Sequence, residues 1–208
     1  MKNYTCLLLV FLCLNFSYAQ ENQEELKPYR VGLKIGAPTV IGLNFEYVTP
    51  LWENRVAPFI DYSNLKYNND GDLYRSYVFE IGANVYFTDD GNGKGFYGGL
   101  SYGNIKFKMD RFDYEADNGM QFTGVAKSKS TVNSFNVKLG AKVGDKFYFR
   151  TELGYGFGAI PEGIESTGII NGTETTVVED ITDDLKDIPF VSANGSLLFN
   201  IGFGYEFK

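Results

Sequence analysis

Residues 194–208 read Asn-Gly-Ser-Leu-Leu-Phe-Asn-Ile-Gly-Phe-Gly-Tyr-Glu-Phe-Lys. Leu197, Phe199, Ile201, Phe203, Tyr205 and Phe207 alternate with Ser196, Leu198, Asn200, Gly202, Gly204 and Glu206. Successive side chains of a strand point to opposite faces, so one face is large and apolar and the other small or polar. The apolar face persists from Leu197 to Phe207. That length matches the roughly 9–11 residues a tilted strand needs to cross a bilayer.

The same pattern recurs upstream. Residues 29–37 set Tyr29, Val31, Leu33 and Ile35 against Arg30, Gly32, Lys34 and Gly36. Residues 41–48, 77–87, 135–143 and 147–159 alternate in the same way. Residues 56–66, with Pro58 inside, and the glycine-rich residues 96–108 are less regular but are counted as strands three and five. With 194–208 this makes eight. The joints 49–55, 88–95 and 144–146 are short and rich in Gly, Asp, Asn or Pro, as tight turns require. Those at 109–132 and 160–189 are long and polar, and 38–40 is short. Short turns on the side of both termini and long loops opposite are the layout of a membrane barrel. The expected fold is all-β: an eight-stranded antiparallel up-and-down transmembrane β-barrel. Tyr29, Tyr47, Trp52, Phe87, Tyr97, Phe147 and Phe207, near strand ends on the turn side, are expected to form an aromatic girdle there.

Met1 to Ala19 has the form of a secretory signal peptide: Lys2, an apolar run from Leu7 to Leu14, then Ser17-Tyr18-Ala19 before a cut near Gln20. The expected order is a signal peptide at 1–19, a loose polar leader at 20–28 and the barrel at 29–208. Cys6 and Cys13, the chain's two cysteines, would leave with the leader, and with them disulfide and thiolate chemistry. Loss of Lys2 moves the net charge from −7 to −8, and with no basic stripe nucleic acid is not expected as a partner. Histidine is absent, which removes the commonest general base and the commonest transition-metal ligand.

The signal peptide, the eight alternating segments, the loop asymmetry and the terminal Gly-Tyr-Glu-Phe-Lys resemble the small outer-membrane β-barrels of Gram-negative bacteria, of the OmpA/OmpX kind. The resemblance runs from Tyr29 to Lys208 and rests on architecture. It implies residence in the outer membrane after export. Enzymatic barrels of this size, the lipid A acylases and deacylases, depend on a histidine, so a non-enzymatic protein without cofactor or metal is expected.

The candidate site is the polar face of the strands, carrying Arg30, Lys34, Glu46, Glu80, Lys138, Lys142, Arg150, Glu152 and Glu206. An eight-stranded barrel is just wide enough inside for side chains to fill, so these charges must pair with one another. The expected role is anchorage of surface loops, for envelope integrity or surface contact, by a monomer in contact with outer-membrane lipids. An unknown surface partner would meet loops 109–132 and 160–189. The alternative is a narrow channel passing small ions or solutes along the same charges. A ligand-holding barrel with the aromatic face turned inward would overfill its interior. Asp89 to Gly95 superficially suits calcium, but Lys94 and Ser101 stand where an EF-hand loop needs oxygen ligands, so it reads as a turn. The acidic run between Glu162 and Asp187 reads as a solvated loop.

Overall fold

The computed structural model describes residues 26–69, 71–88, 92–116, 119–159, 161, 163–180, 191–192 and 194–208. The expected signal peptide at 1–19, residues 20–25 of the polar leader, and Asp89, Asp90, Glu162, Asp183, Asp184 and Asp187 lie outside the described residues. The strands are β1 (Tyr29–Ala37), β2 (Val40–Tyr47), β3 (Val56–Asn69), β4 (Asp72–Tyr86), β5 (Gly95–Phe112), β6 (Thr123–Gly144), β7 (Phe147–Phe157), β8 (Gly163–Ile170), β9 (Thr173–Asp180), β10 (Val191–Ser192) and β11 (Gly195–Phe207).

Eight of these close a ring. Strands β1 to β7 pair with their chain neighbours, β7 pairs β11, and β11 pairs β1 from Tyr29↔Phe207 to Ala37↔Phe199. Every pairing is antiparallel, so the wall is a closed antiparallel barrel without a free edge. The chain turns tightly at 48–55 and 145–146, at the same end as Tyr29 and Phe207, and residues 87–88 and 92–94 lie at that end too. The first of these turns runs through three successive left-handed residues, Trp52, Glu53 and Asn54. Leu26 packs beneath the wall against Val48, Ala57, Tyr86 and Tyr97, and Pro28 accepts a bond from the Val48 amide at 2.8 Å. The last residues of the expected loose leader are therefore docked.

Burial alternates along each strand, and in the reverse sense to a water-soluble protein. Val31, Leu33, Ile35, Leu43, Phe45, Ile81, Leu139, Leu153, Phe199 and Phe203 are exposed on the outside, while Arg30, Lys34, Glu46, Lys138 and Arg150 are almost wholly buried inside. The irregular third strand follows the same rule: Ala57, Phe59, Asp61 and Ser63 point in, and Ile60 and Tyr62 point out. Tyr97 departs from the expected girdle. It is buried inside the barrel, and its neighbour Phe96 is the outward ring at that height.

The segments 109–132 and 160–189, expected as loops, are largely strand where described. Strands β5 and β6 stay in register up to Phe112↔Val125. Over 135–144, β6 pairs β7 in the wall; over 123–129 it leaves the wall and pairs β8, which continues into β9. A second sheet thus rises from the barrel on the side opposite the short turns. It has its own small core of Ala116, Phe122, Ala126 and Val177, flanked by Tyr114 and Ile170. One face of this sheet is buried, but by small and polar residues such as Ala126, Ser128, Ser166 and Glu179, so backbone pairing continues there without a long apolar alternation to announce it.

Candidate functional site in the barrel lumen

The lumen is built by parity. Because β1, β2, β7 and β11 are in register, Arg30 faces Glu46 on one side and Glu206 on the other, and Glu152 faces Asn200. Long charged side chains sit opposite glycines: Lys34 between Gly42 and Gly202, Lys138 between Gly99 and Gly154, Arg150 beside Gly202. This size matching lets a narrow interior hold five cations. A methyl group on Gly140 would run into the Tyr97 ring, and one on Gly204 into the Tyr148 ring.

All the sequence-predicted site residues meet in one network. Arg30 bonds Glu206 at 2.9 Å and Glu46 at 3.1 Å. Glu46 also takes Lys142, the Tyr86 hydroxyl at 3.0 Å and the Asn84 amide at 2.9 Å, with Arg150 at 3.9 Å. Arg150 lies 3.9 Å from Glu152, whose carboxylate holds Lys34 at 2.7 Å and the Tyr97 hydroxyl at 2.8 Å. Lys34 continues to Asp61 and, at 3.8 Å, to Glu80, which Lys138 reaches at 2.8 Å. Lys138 also stands 4.4 Å over the Phe59 ring.

Asp61 is the member the sequence pattern missed. The inward Phe59 breaks the aromatic-out alternation of its strand, and parity counted from Tyr62 would have found it. With Asp61, five buried cations (Arg30, Lys34, Lys138, Lys142, Arg150) face five buried carboxylates (Glu46, Asp61, Glu80, Glu152, Glu206). The interior is neutral in sum, which is the condition for burying charge without a prohibitive desolvation cost.

Both ends of the lumen are shaped. At the short-turn end the Asn92 carbonyl accepts from Arg30 and Gly93 lies against the same guanidinium, so these two residues sit over the buried Arg30. At the other end a cup lined by Thr39, Gly103, Ser134, Asn136, Ser196 and Asn200 leads down to Glu80. Its cavity volume is small, about 30 Å³.

A second polar cluster clips the projecting sheet together. Arg111 lies 3.3 Å from the Tyr114 ring centroid, and donates to Ser128 at 3.0 Å, Ser166 at 3.1 Å and Glu179 at 3.4 Å. Tyr114 also donates to Glu179. Burial first, and then this bond to a carboxylate, raise the Tyr114 hydroxyl above its ordinary pKa. Glu179, placed by sequence in a solvated acidic loop, is instead buried and paired.

Fold and lumen together define a closed eight-stranded antiparallel β-barrel, apolar outside and ion-paired within. No family model matches the chain, and no curated protein matches it. Among solved structures it is similar to CarO2 of Acinetobacter baumannii, at 13% identity over 88% of this chain and 100% of that one, with a TM-score of 0.43. It is similar also to CarO of the same species, at 13% identity over 90% and 100% of the two chains, with a TM-score of 0.44.

Proposed function

We propose that this protein is a non-enzymatic integral outer-membrane β-barrel that anchors a surface-exposed sheet, β5, β6, β8 and β9, for contact with the cell's surroundings. The observation that carries this reading is the inverted polarity of the wall. Soluble monomers rarely expose contiguous apolar patches beyond a few hundred Å². Here apolar residues cover the outside of every barrel strand across one band, and the charges at that height are inside. A bilayer supplies the missing apolar partner. Along β4 the outward band runs from Phe87 to Phe79, eight residue steps. At about 3.3 Å per step and a tilt near 40° this spans roughly 20 Å, comparable to the ~25 Å apolar band of such barrels.

The paired interior supports a closed anchor rather than an open passage. A narrow channel is the second reading, favoured by the open cup that ends on Glu80. The deciding experiment has two parts. Fractionation and unboiled gel migration should place the protein in the outer membrane as a heat-modifiable band; a soluble periplasmic form without a shift would overturn the anchor. Planar-bilayer recording should give no discrete conductance, and steps above background would replace the anchor with the channel.

A further inference from the structure

We propose that the outward face of β3, β4, β5 and β6, just above the apolar band, is a binding ledge for the phosphorylated headgroup of an outer-leaflet lipid. An acyl chain of that lipid would lie in the aromatic groove beneath. This deepens the membrane reading above and rests on it.

The strand registers place the residues. One cross-strand row reads Tyr62, Phe79, Asn104, Asn133, and the next reads Asn64, Tyr77, Lys106, Thr131. The row above is Lys66, Arg75, Lys108, Lys129: four cations directly opposite one another on four adjacent strands. Lys127 follows one row higher, opposite Asp110. Like charges directly opposite in a sheet destabilise it. Three successive such pairs are an arrangement that an external anion would relieve.

Among the described residues two carboxylates answer these six cations on the ledge: Asp110, 2.8 Å from Arg75, and Glu165, 3.5 Å from Lys129. Among the described residues no ion pair reaches Lys66, Lys106 or Lys108, although Lys108 stands 5.8 Å over the Tyr77 ring. This concentration arises in a chain whose net charge is −7, so it is local and not a reflection of composition.

Directly below lies an open groove lined by Tyr62, Tyr77, Phe79, Asn104, Lys106 and Lys108. It is aromatic at its lower end and cationic at its upper end, the polarity of a phospholipid or phosphoglycolipid standing in a leaflet. The ledge is one-sided: at the top of the wall β1, β2, β7 and β11 present Ile35, Val40, Phe157 and Leu197 outward. A general adaptation to the headgroup layer would ring the barrel, whereas a site occupies one sector.

The test compares wild type with a Lys66→Gln/Lys106→Gln/Lys108→Gln/Lys129→Gln variant. Both are refolded into phosphatidylcholine vesicles alone, or containing bisphosphorylated lipid A, or its dephosphorylated form. Insertion into phosphatidylcholine, read by the gel shift, should be equal for the two proteins. If neither inserts, the membrane reading fails and the ledge with it. Bisphosphorylated lipid A retained after mild detergent extraction should fall on the order of tenfold in the variant. The dephosphorylated lipid should be retained by neither, and inorganic phosphate should not displace the bound lipid. Equal retention by both proteins, or equal retention of the dephosphorylated lipid, would overturn the ledge. Displacement by inorganic phosphate would reduce it to an anion site without lipid specificity. If the quadruple variant does not insert, the single variants Lys66→Gln and Lys106→Gln carry the test, each with a smaller loss in the same direction.

Discussion

At the scale of single residues, Glu46 is the most connected member of the lumen, holding Arg30, Lys142, Tyr86 and Asn84. Glu46→Gln leaves buried cations without their counter-charge and should cost about 3–5 kcal/mol, the usual penalty for breaking a buried pair. Unfolding from liposomes, followed by the gel shift across a urea series, measures it; an unchanged midpoint would mean that the lumen is hydrated enough to screen its charges. Parity gives a second contrast. Ile201 points outward between Ile35 and Thr151, and Asn200 is buried inside. Ile201→Arg should cost about 2–4 kcal/mol at mid-bilayer, and Asn200→Ser less, because it keeps a small neutral polar group inside. The reverse order in the same assay would refute the assignment of faces. These assignments were legible in the sequence because large and small residues alternate cleanly. Asp61 and Tyr97 were not, since aromatic rings at Phe59, Tyr86, Tyr97 and Tyr148 point inward, the Tyr97 ring over Gly140 and the Tyr148 ring over Gly204.

At the scale of elements, Gly195 of β11 pairs directly with Phe157 of β7, so the wall closes without the intervening hairpin. Replacing residues 159–193 by a short turn should therefore leave a folded, heat-modifiable barrel while exposing Phe122 and Ala126, which now pack against Val177. A variant that no longer folds would show the projecting sheet to be part of the barrel's stability. At the opposite end, Lys94 bonds Asp145 at 2.8 Å and so joins two of the short turns. That hydrogen bond first, and the ammonium charge second, hold the Asp145 carboxyl below its ordinary pKa. A lowered carboxylate pKa contributes stability that is present above the unfolded value and lost as pH falls through the folded one. The latch should therefore be intact at neutral pH and release in acid, with only a small effect because Asp145 is largely exposed. Proton–nitrogen NMR of the Asp145 amide across an acid titration would follow it, and an unshifted midpoint would discount the bond. The wall strands were readable in sequence where lipid-scale alternation marks them. The run Lys127-Ser128-Lys129-Ser130-Thr131 reads as loop because its buried face is polar, with Ser128 against Ser166 and Arg111, and leaves nothing apolar to alternate.

At the scale of the molecule, position in the bilayer follows from the outward band and its rims. Trp52, the single tryptophan, is exposed at the short-turn rim beside Leu51. Its fluorescence should be quenched more by lipids brominated near the headgroup than by lipids brominated near the chain ends. Stronger quenching from the deep position would move the membrane plane and the apolar band with it. The ion-paired lumen also has a consequence in time. Arg30 and Glu206 stand 176 residues apart in the chain, and Lys142 and Glu46 stand 96 apart, so the partners that neutralise the interior are distant in sequence. A half-formed wall would hold cations from β1 and β7 facing hydrocarbon or each other. Partial insertion is therefore an expensive state, and the chain has reason to enter the bilayer as a nearly complete ring, with the meeting of β1 and β11 as the step that commits it.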